Sequence, residues 1–239
     1  MDKKYLYHFR YTEIDKELFD LEMSCIFDEK IDNTIFFSNE DIKYNKSQFL
    51  KEKVEIITYA NSMEELLINI DKLNDSEDGF KVVYQEFDND ELPYKKRMEY
   101  IIAIAMKLKA VGVINNPKFY YSFCDFNGIW YFGKYYRSDL SKRKNFDKPH
   151  SYSQALNVDF ARSIVNIAIN KDYNQKMIDP CCGIGTVVIE ALEQGIDIKG
   201  YELVFKIGMN AKLNVEFMGY NDVITCTSMY EMDESFDTA

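Results

Sequence analysis

The stretch Met177 to Gly195, MIDPCCGIGTVVIEALEQG, limits what this chain can fold into more than any other part of it. An apolar run ends in Asp179-Pro180. Gly183 and Gly185 then permit a tight turn and a close backbone approach, and Val187 to Leu192 open a helix whose N-terminus faces the turn. A strand, a glycine loop and a helix in that order form a nucleotide-binding crossover. Seventeen positions past Gly185, at the end of the next apolar run, stands Glu202, where an acid can accept hydrogen bonds from both hydroxyls of a ribose.

Three ligand classes compete for such a loop. A triphosphate needs a Lys-Ser or Lys-Thr pair after the glycines, and none follows. A dinucleotide wants a third glycine where Val188 stands, and Asp179 would set a carboxylate beside its pyrophosphate. S-adenosylmethionine (SAM) has no phosphate and carries an ammonium and a sulfonium, so an acid at the mouth of the loop attracts it. Charge favours SAM. The plain alternative is a glycine-rich turn that binds nothing.

The rest of the chain reads as α/β. Strands are expected at Lys4 to Tyr11, Thr34 to Ser38, Val54 to Ala60 and Val82 to Phe87. A helix with a Ser62/Glu65 capping box carries Leu66, Leu67, Ile70 and Leu73, and a second runs from Lys96 to Ala110 with Gly112 as its stop. FYYSFCDF and GIWYFGKYY form a hairpin around Asn127-Gly128, a dipeptide suited to the two positive φ angles of a type I′ turn. After His150, helices at Val158 to Asn170, up to Leu192 and at Lys206 to Phe217 alternate with strands at Lys176 to Ile178, Ile196 to Glu202 and Val223 to Thr227. Such alternation implies parallel pairing.

The formal charge of −11 argues against indiscriminate binding to phosphate backbones, which is driven largely by Lys and Arg. One stretch is basic: residues 134 to 148 hold Lys134, Arg137, Lys142, Arg143, Lys144 and Lys148 against Asp139 and Asp147. The aromatics Trp130, Tyr131, Phe132, Tyr135 and Tyr136 beside it could stack on bases, although strand alternation turns about half of them to a core. The cysteines Cys25, Cys124, Cys181, Cys182 and Cys226 show no CxxC spacing, so reduced thiols are expected, with no metal site. No run is apolar enough to span a bilayer, and no secretory leader is evident, so a cytoplasmic protein without a membrane partner is expected.

DPCCGIGTVVIEA, IKGYEL and NAKLNVEFMG, preceded by KPHSYSQALNVDFARSIVNIA, resemble the THUMP-containing RNA guanine methyltransferases, which methylate the exocyclic amine of a guanine in tRNA. The likeness is specific over residues 148 to 219. TYANSMEELLINI and FNGIWYFG are similar to segments of the THUMP region and its ferredoxin-like neighbour. The resemblance implies an N-terminal α+β, ferredoxin-like or THUMP-like RNA-binding module over 1–136, a basic linker over 137–149, and part of a Rossmann-like SAM-binding domain over 150–239.

It further implies that Asp179, Gly183 and Gly185 line the methionine end of the cofactor, with Pro180, Cys181 and Thr186 in the same loop. Glu202 takes the ribose, Ser151 to Gln154 cover the cofactor, and Ser228 stands near the adenine, where the family usually carries an acid. Arg137, Lys142, Arg143 and Lys144 are the candidate phosphate contacts. His150 and Tyr152 could touch cofactor or RNA, or serve only in the linker. The family's amine-orienting Asp or Asn with prolines and an aromatic has no counterpart after the glycine loop. Catalytic residues are therefore expected beyond Ala239. The 239 residues are expected to be inactive alone, with an open sheet edge that recruits a partner chain or another copy. Other readings are a non-catalytic SAM- or RNA-binding protein and an amino-methyltransferase acting on DNA or protein.

Overall fold

The computed structural model describes residues 4–73, 77–87 and 92–239; of Lys144 and Phe146 it describes the backbone only. In chain order the elements are β1 (Tyr5–Phe9), α1 (Lys16–Phe27), β2 (Ile35–Ser38), β3 (Leu50–Ala60), α2 (Met63–Asp71), β4 (Phe80–Tyr84), α3 (Tyr94–Lys107), β5 (Phe119–Phe126) and β6 (Ile129–Arg137). There follow α4 (Val158–Ile169), β7 (Lys176–Asp179), α5 (Thr186–Glu193), β8 (Asp197–Tyr201), α6 (Phe205–Phe217) and β9 (Ile224–Thr225). They form two compact units. One is Met1–Phe9, Asn33–Tyr44 and Leu50–Ser138; the other is Arg10–Asp32, Asn45–Phe49 and Asp139–Ala239.

The first unit is a six-stranded sheet of order β2-β1-β3-β6-β5-β4, antiparallel except for the parallel pair β4 and β5. The β5–β6 hairpin turns where Asn127 and Gly128 take φ of 54° and 79°, and the Asp125 carboxylate accepts from the Gly128 N–H at 2.9 Å. Alternation sends Tyr121, Phe123 and Phe132 into a core with Met63, Leu66 and Ile104 of α2 and α3. Cys124 and Tyr131 pack in a separate cluster with Leu6, Val54 and Phe87. At the start of α2 the Ser62 hydroxyl accepts from the Glu65 N–H, while the Glu65 carboxylate reaches the Asn61 N–H instead of completing the box at Ser62. Gly112 is not the stop of α3. That helix ends at an extended Leu108, and Gly112 instead bridges to Phe80, where a Cβ would sit 3.2 Å from the Phe80 ring.

The second unit alternates strands and helices, and its sheet of order β7-β8-β9 is parallel. Val165, Met177, Val188, Ile198, Ala211 and Ile224 are among the residues that close its core. The far edge of β7 is taken up as well: the Ile178 N–H donates to the Thr238 carbonyl at 2.9 Å, and Asp237 N–H to that of Lys176 at 2.8 Å. Among the described residues no strand pairs with the outer side of β9, the last strand, where the open edge was expected.

Two expectations about the path of the chain change. α1, which the sequence pattern did not disclose, belongs to the second unit, where it buries Phe19, Met23, Ile26 and Phe27 and packs on α4. Its buried Glu22 accepts from Ser163 Oγ at 2.7 Å and from the Asn166 amide of α4. The run from Asp139 is likewise folded into that unit, as two 3-10 turns at Leu140–Lys142 and Lys144–Asp147, with Leu140 and Asn145 buried. Among the described residues no helix is long and apolar enough to cross a membrane.

Candidate functional site

β7 delivers Asp179 to the start of the glycine loop. Gly183 and Gly185 have φ of 54° and 82°, values that L side chains rarely adopt. At Gly183 an added Cβ would meet nothing within 4 Å, so glycine is required there by backbone angle, with the space beside it open. Gly185 lies against Ala211 and Val215 of α6 and caps α5, accepting from Ile189 N–H at 2.9 Å. The loop is tied to β8 by the Cys182 N–H, which donates to the Tyr201 carbonyl at 2.8 Å.

Glu202 follows β8 directly. One carboxylate oxygen accepts from Gly183 N–H at 3.0 Å and the other from Val204 N–H at 2.8 Å, so the acid is fixed against the loop by backbone alone. A carboxylate has about four lone-pair sites, and two remain for hydroxyl donors. Asp179 accepts from Cys181 N–H at 3.2 Å. Burial pushes its carboxyl up to about 6, the Cys181 N–H pulls it down, and the nearby Glu202 charge adds to the rise. Among the described residues neither acid forms an ion pair with a Lys or Arg. Thr186, at the first turn of α5, is buried with its Oγ1 lacking a hydrogen-bond partner among those residues. Two acids without a counter-cation, an open glycine and an orphaned hydroxyl fit a ligand that brings cationic and hydroxyl donors to this loop.

The other expected positions divide. Pro180 is partly buried and Cys181 exposed in the loop; the Cys182 thiol is buried and pushed up by that burial, which makes it inert. Ser151 to Gln154 are all exposed, with a turn closed by Ala155 N–H to the Tyr152 carbonyl at 2.9 Å. Ser228 lies three residues past β9 and accepts from Tyr230 N–H at 3.3 Å. Leu203, 72% exposed beside Glu202, is an apolar surface that residue patterning did not single out.

The basic run is not one surface. Arg143 is 8% exposed and turned inward: it donates to Glu190 at 2.6 Å, to the Leu140 carbonyl at 2.9 Å and to Asp159. The phosphate role expected for Arg143 gives way to a structural one, because its guanidinium is buried and paired with the fully buried Glu190 and with Asp159. Arg162 donates to the same Glu190 at 2.8 Å and Asn145 to its other oxygen at 2.8 Å. Arg137 and Lys142 remain exposed; the side chain of Lys144 lies outside those described. Of the nearby aromatics, Tyr131 and Phe132 are buried, Trp130 packs on Phe123 and Tyr100, and Tyr136 stacks on Tyr44. The Tyr135 hydroxyl donates to Glu52 at 2.7 Å.

No family model and no curated protein sequence matches the chain. Solved structures do. TrmN from Thermus thermophilus matches with a TM-score of 0.50 at 13% identity, over 98% of this chain and 76% of that one. The fold is methyltransferase-like. A predicted N6-adenine-specific DNA methylase from Listeria monocytogenes is similar at a TM-score of 0.45 and 14% identity, covering 99% of this chain and 78% of its own. So is a possible methylase from Clostridium difficile, at 0.48 and 14% over 95% and 75%.

Proposed function

We propose that the protein is a SAM-dependent methyltransferase of the THUMP-containing RNA-modifying kind, with structured RNA, tRNA in particular, as substrate and the exocyclic amine of a guanine as methyl acceptor. One observation carries the reading: a φ-positive glycine loop is flanked by Asp179 and Glu202, two acids without a cation among the described residues. Such a cradle repels phosphate and attracts an ammonium. SAM, when bound, supplies the activated methyl, its sulfonium being already a good leaving group.

The chain's own residues then hold and align. Asp179, ionised above about pH 6, attracts the amino group of the methionine end. Glu202 offers its two remaining lone-pair directions to the ribose hydroxyls, and Leu203 offers an apolar slab to the adenine. Ser228 extends the adenine side, and Ser151 to Gln154 close over the loop. Methyl transfer needs little beyond proximity and in-line alignment, which is what a rigid loop provides. The α+β first unit, in this reading the THUMP-like module, captures RNA with the exposed Arg137, and Lys142 is an exposed cation that the second unit offers.

Calorimetry with S-adenosylhomocysteine (SAH) and with NAD tests the cofactor. SAH should bind the wild-type chain and NAD should not; tighter binding of NAD overturns the reading. RNA as substrate is tested by transfer of labelled methyl from SAM to unmodified tRNA in the presence of the full protein, with DNA of matched length giving no incorporation.

A further inference from the structure

Asn214 stands on the inner face of α6 between Ala211 and Val215, in a register where an apolar side chain would serve a core, and it is fully buried. Burying an amide is costly unless its donors and acceptor are used. All are. Its Oδ1 accepts from the His150 N–H at 2.9 Å, and its Nδ2 donates to the His150 carbonyl and the Ile184 carbonyl, each at 3.0 Å. One side chain thus grips both backbone groups of His150 and the glycine loop at once.

A second buried amide repeats the arrangement from the other side of Gly185. Asn145 Nδ2 donates to Glu190 at 2.8 Å and to the Thr186 carbonyl at 3.4 Å. The carbonyls on either side of Gly185, Ile184 in the loop and Thr186 at the start of α5, are therefore both braced by side-chain amides, while the space beside Gly183 stays open. Downstream, Asn157 caps α4 through its side chain, accepting from Asp159 and Phe160 N–H. The stretch between His150 and Asn157, with Ser151 to Gln154 exposed, is consequently a strap held at both ends, and its upstream end is held by Asn214.

We propose that Asn214 is a positioning residue: it latches the strap to the glycine loop, so that binding of cofactor on the loop and closure of Ser151 to Gln154 over it are one coupled event. The coupling rests on the SAM reading above; the latch itself does not. A buried Asn present only to fill a polar niche would affect stability alone. A latch must also affect the strap.

The test compares Asn214→Ala and the isosteric Asn214→Asp, which keeps the acceptor for His150 N–H and loses both donations, with Asn166→Ala. Asn166 is a control of the same kind, a buried amide in the same unit that donates to Glu22 and to the Lys46 carbonyl, away from the strap. Amide hydrogen exchange without ligand should show His150 losing protection in Asn214→Ala and keeping it in Asn214→Asp, which retains the acceptor, and in Asn166→Ala. SAH affinity should fall about tenfold in the Asn214 variants, and the protection that SAH confers on residues 151–154 should disappear. At a matched loss of thermal stability, Asn166→Ala should bind SAH like the wild type. Unchanged His150 exchange in Asn214→Ala overturns the latch, whether or not SAH binds. Wild-type SAH affinity in the Asn214 variants, or an equal loss in Asn166→Ala, overturns the coupling with the SAM reading intact. Failure of the wild-type chain to bind SAH overturns that reading, and the exchange experiment still decides the latch.

Discussion

Glu190 and Glu202 are carboxylates of the same unit, one on α5 and one just after β8, and they are treated in opposite ways. Glu190 is fully buried and met by Arg143, Arg162 and Asn145. Among the described residues Glu202 and its neighbour Asp179 accept only from backbone N–H groups, and Asp179 bears the burden as a carboxyl raised to about 6. A buried acid matched by guanidinium groups is structural, since taking away a partner strands a charge in a medium that cannot solvate it. An acid held in place yet left without a cation is available to a ligand. The counter-charge, more than the acid, separates scaffold from site.

The largest effect should come from breaking the matched side. Arg162→Met removes one of the two guanidinium partners of Glu190 and leaves the carbonyls of Asn45 and Lys46 without its donors, and should cost about 3 kcal/mol in urea denaturation. Glu202→Gln, on the unmatched side, should cost under about 1 kcal/mol, because that side chain is partly exposed and bonded only to backbone. Equal costs would erase the distinction.

Ligand binding should show the reverse order. Glu202→Ala should weaken SAH by about 1.5 to 3 kcal/mol, the value of a charge-assisted hydrogen bond, in calorimetry at pH 7.5. Arg162→Met, where it still folds, should leave that affinity within a factor of about two. An unchanged affinity in Glu202→Ala would remove the acid from the site.

Acidity sharpens the comparison further. Asp179 is neutral below about pH 6 and ionised above it, so SAH affinity should drop about fourfold between pH 7.5 and 5.5. Stability of the protein without ligand should move the other way. The folded-state value is raised, so the folded form binds the proton more tightly, and this group favours folding more as pH falls through 6 towards its ordinary range. Asp179→Asn should flatten both profiles. A binding profile of unaltered slope in that variant would assign the titration elsewhere.

The smallest effect concerns the cations. Replacing exposed Arg137 and Lys142 together should lower the salt dependence of tRNA binding by about two units of slope, while Arg143→Ala should lower stability and leave the slope unaltered. A slope that moves with Arg143 would mean that its inward pairing opens when RNA binds.

The glycine loop was legible because its requirements are local. Positive φ at Gly183 and Gly185 and an acid one strand later are properties of short spacing, and the structure has Gly183 and Glu202 in direct hydrogen bond. The hairpin was legible for the same reason at Asn127-Gly128. Arg143 was misread because composition counts charges and cannot count partners. The Glu190 that neutralises it lies 47 positions away on another element. Asn214 left a trace, a polar residue in an apolar helical register, that a pattern of periodicity alone passes over.

The sequence by itself determined the order of strands and helices apart from α1, the turn angles and the acids at the ends of β7 and β8, since each depends on neighbours within a few residues. Only the tertiary structure decided that α1 and the run after Asp139 belong with the second unit and that Arg143 faces inward. It also decided that one amide on α6 grips His150 and the loop together. Those outcomes turn on desolvation: a buried charge or amide is stable only with partners at hydrogen-bond distance, and which partners arrive is fixed by the packing of distant segments.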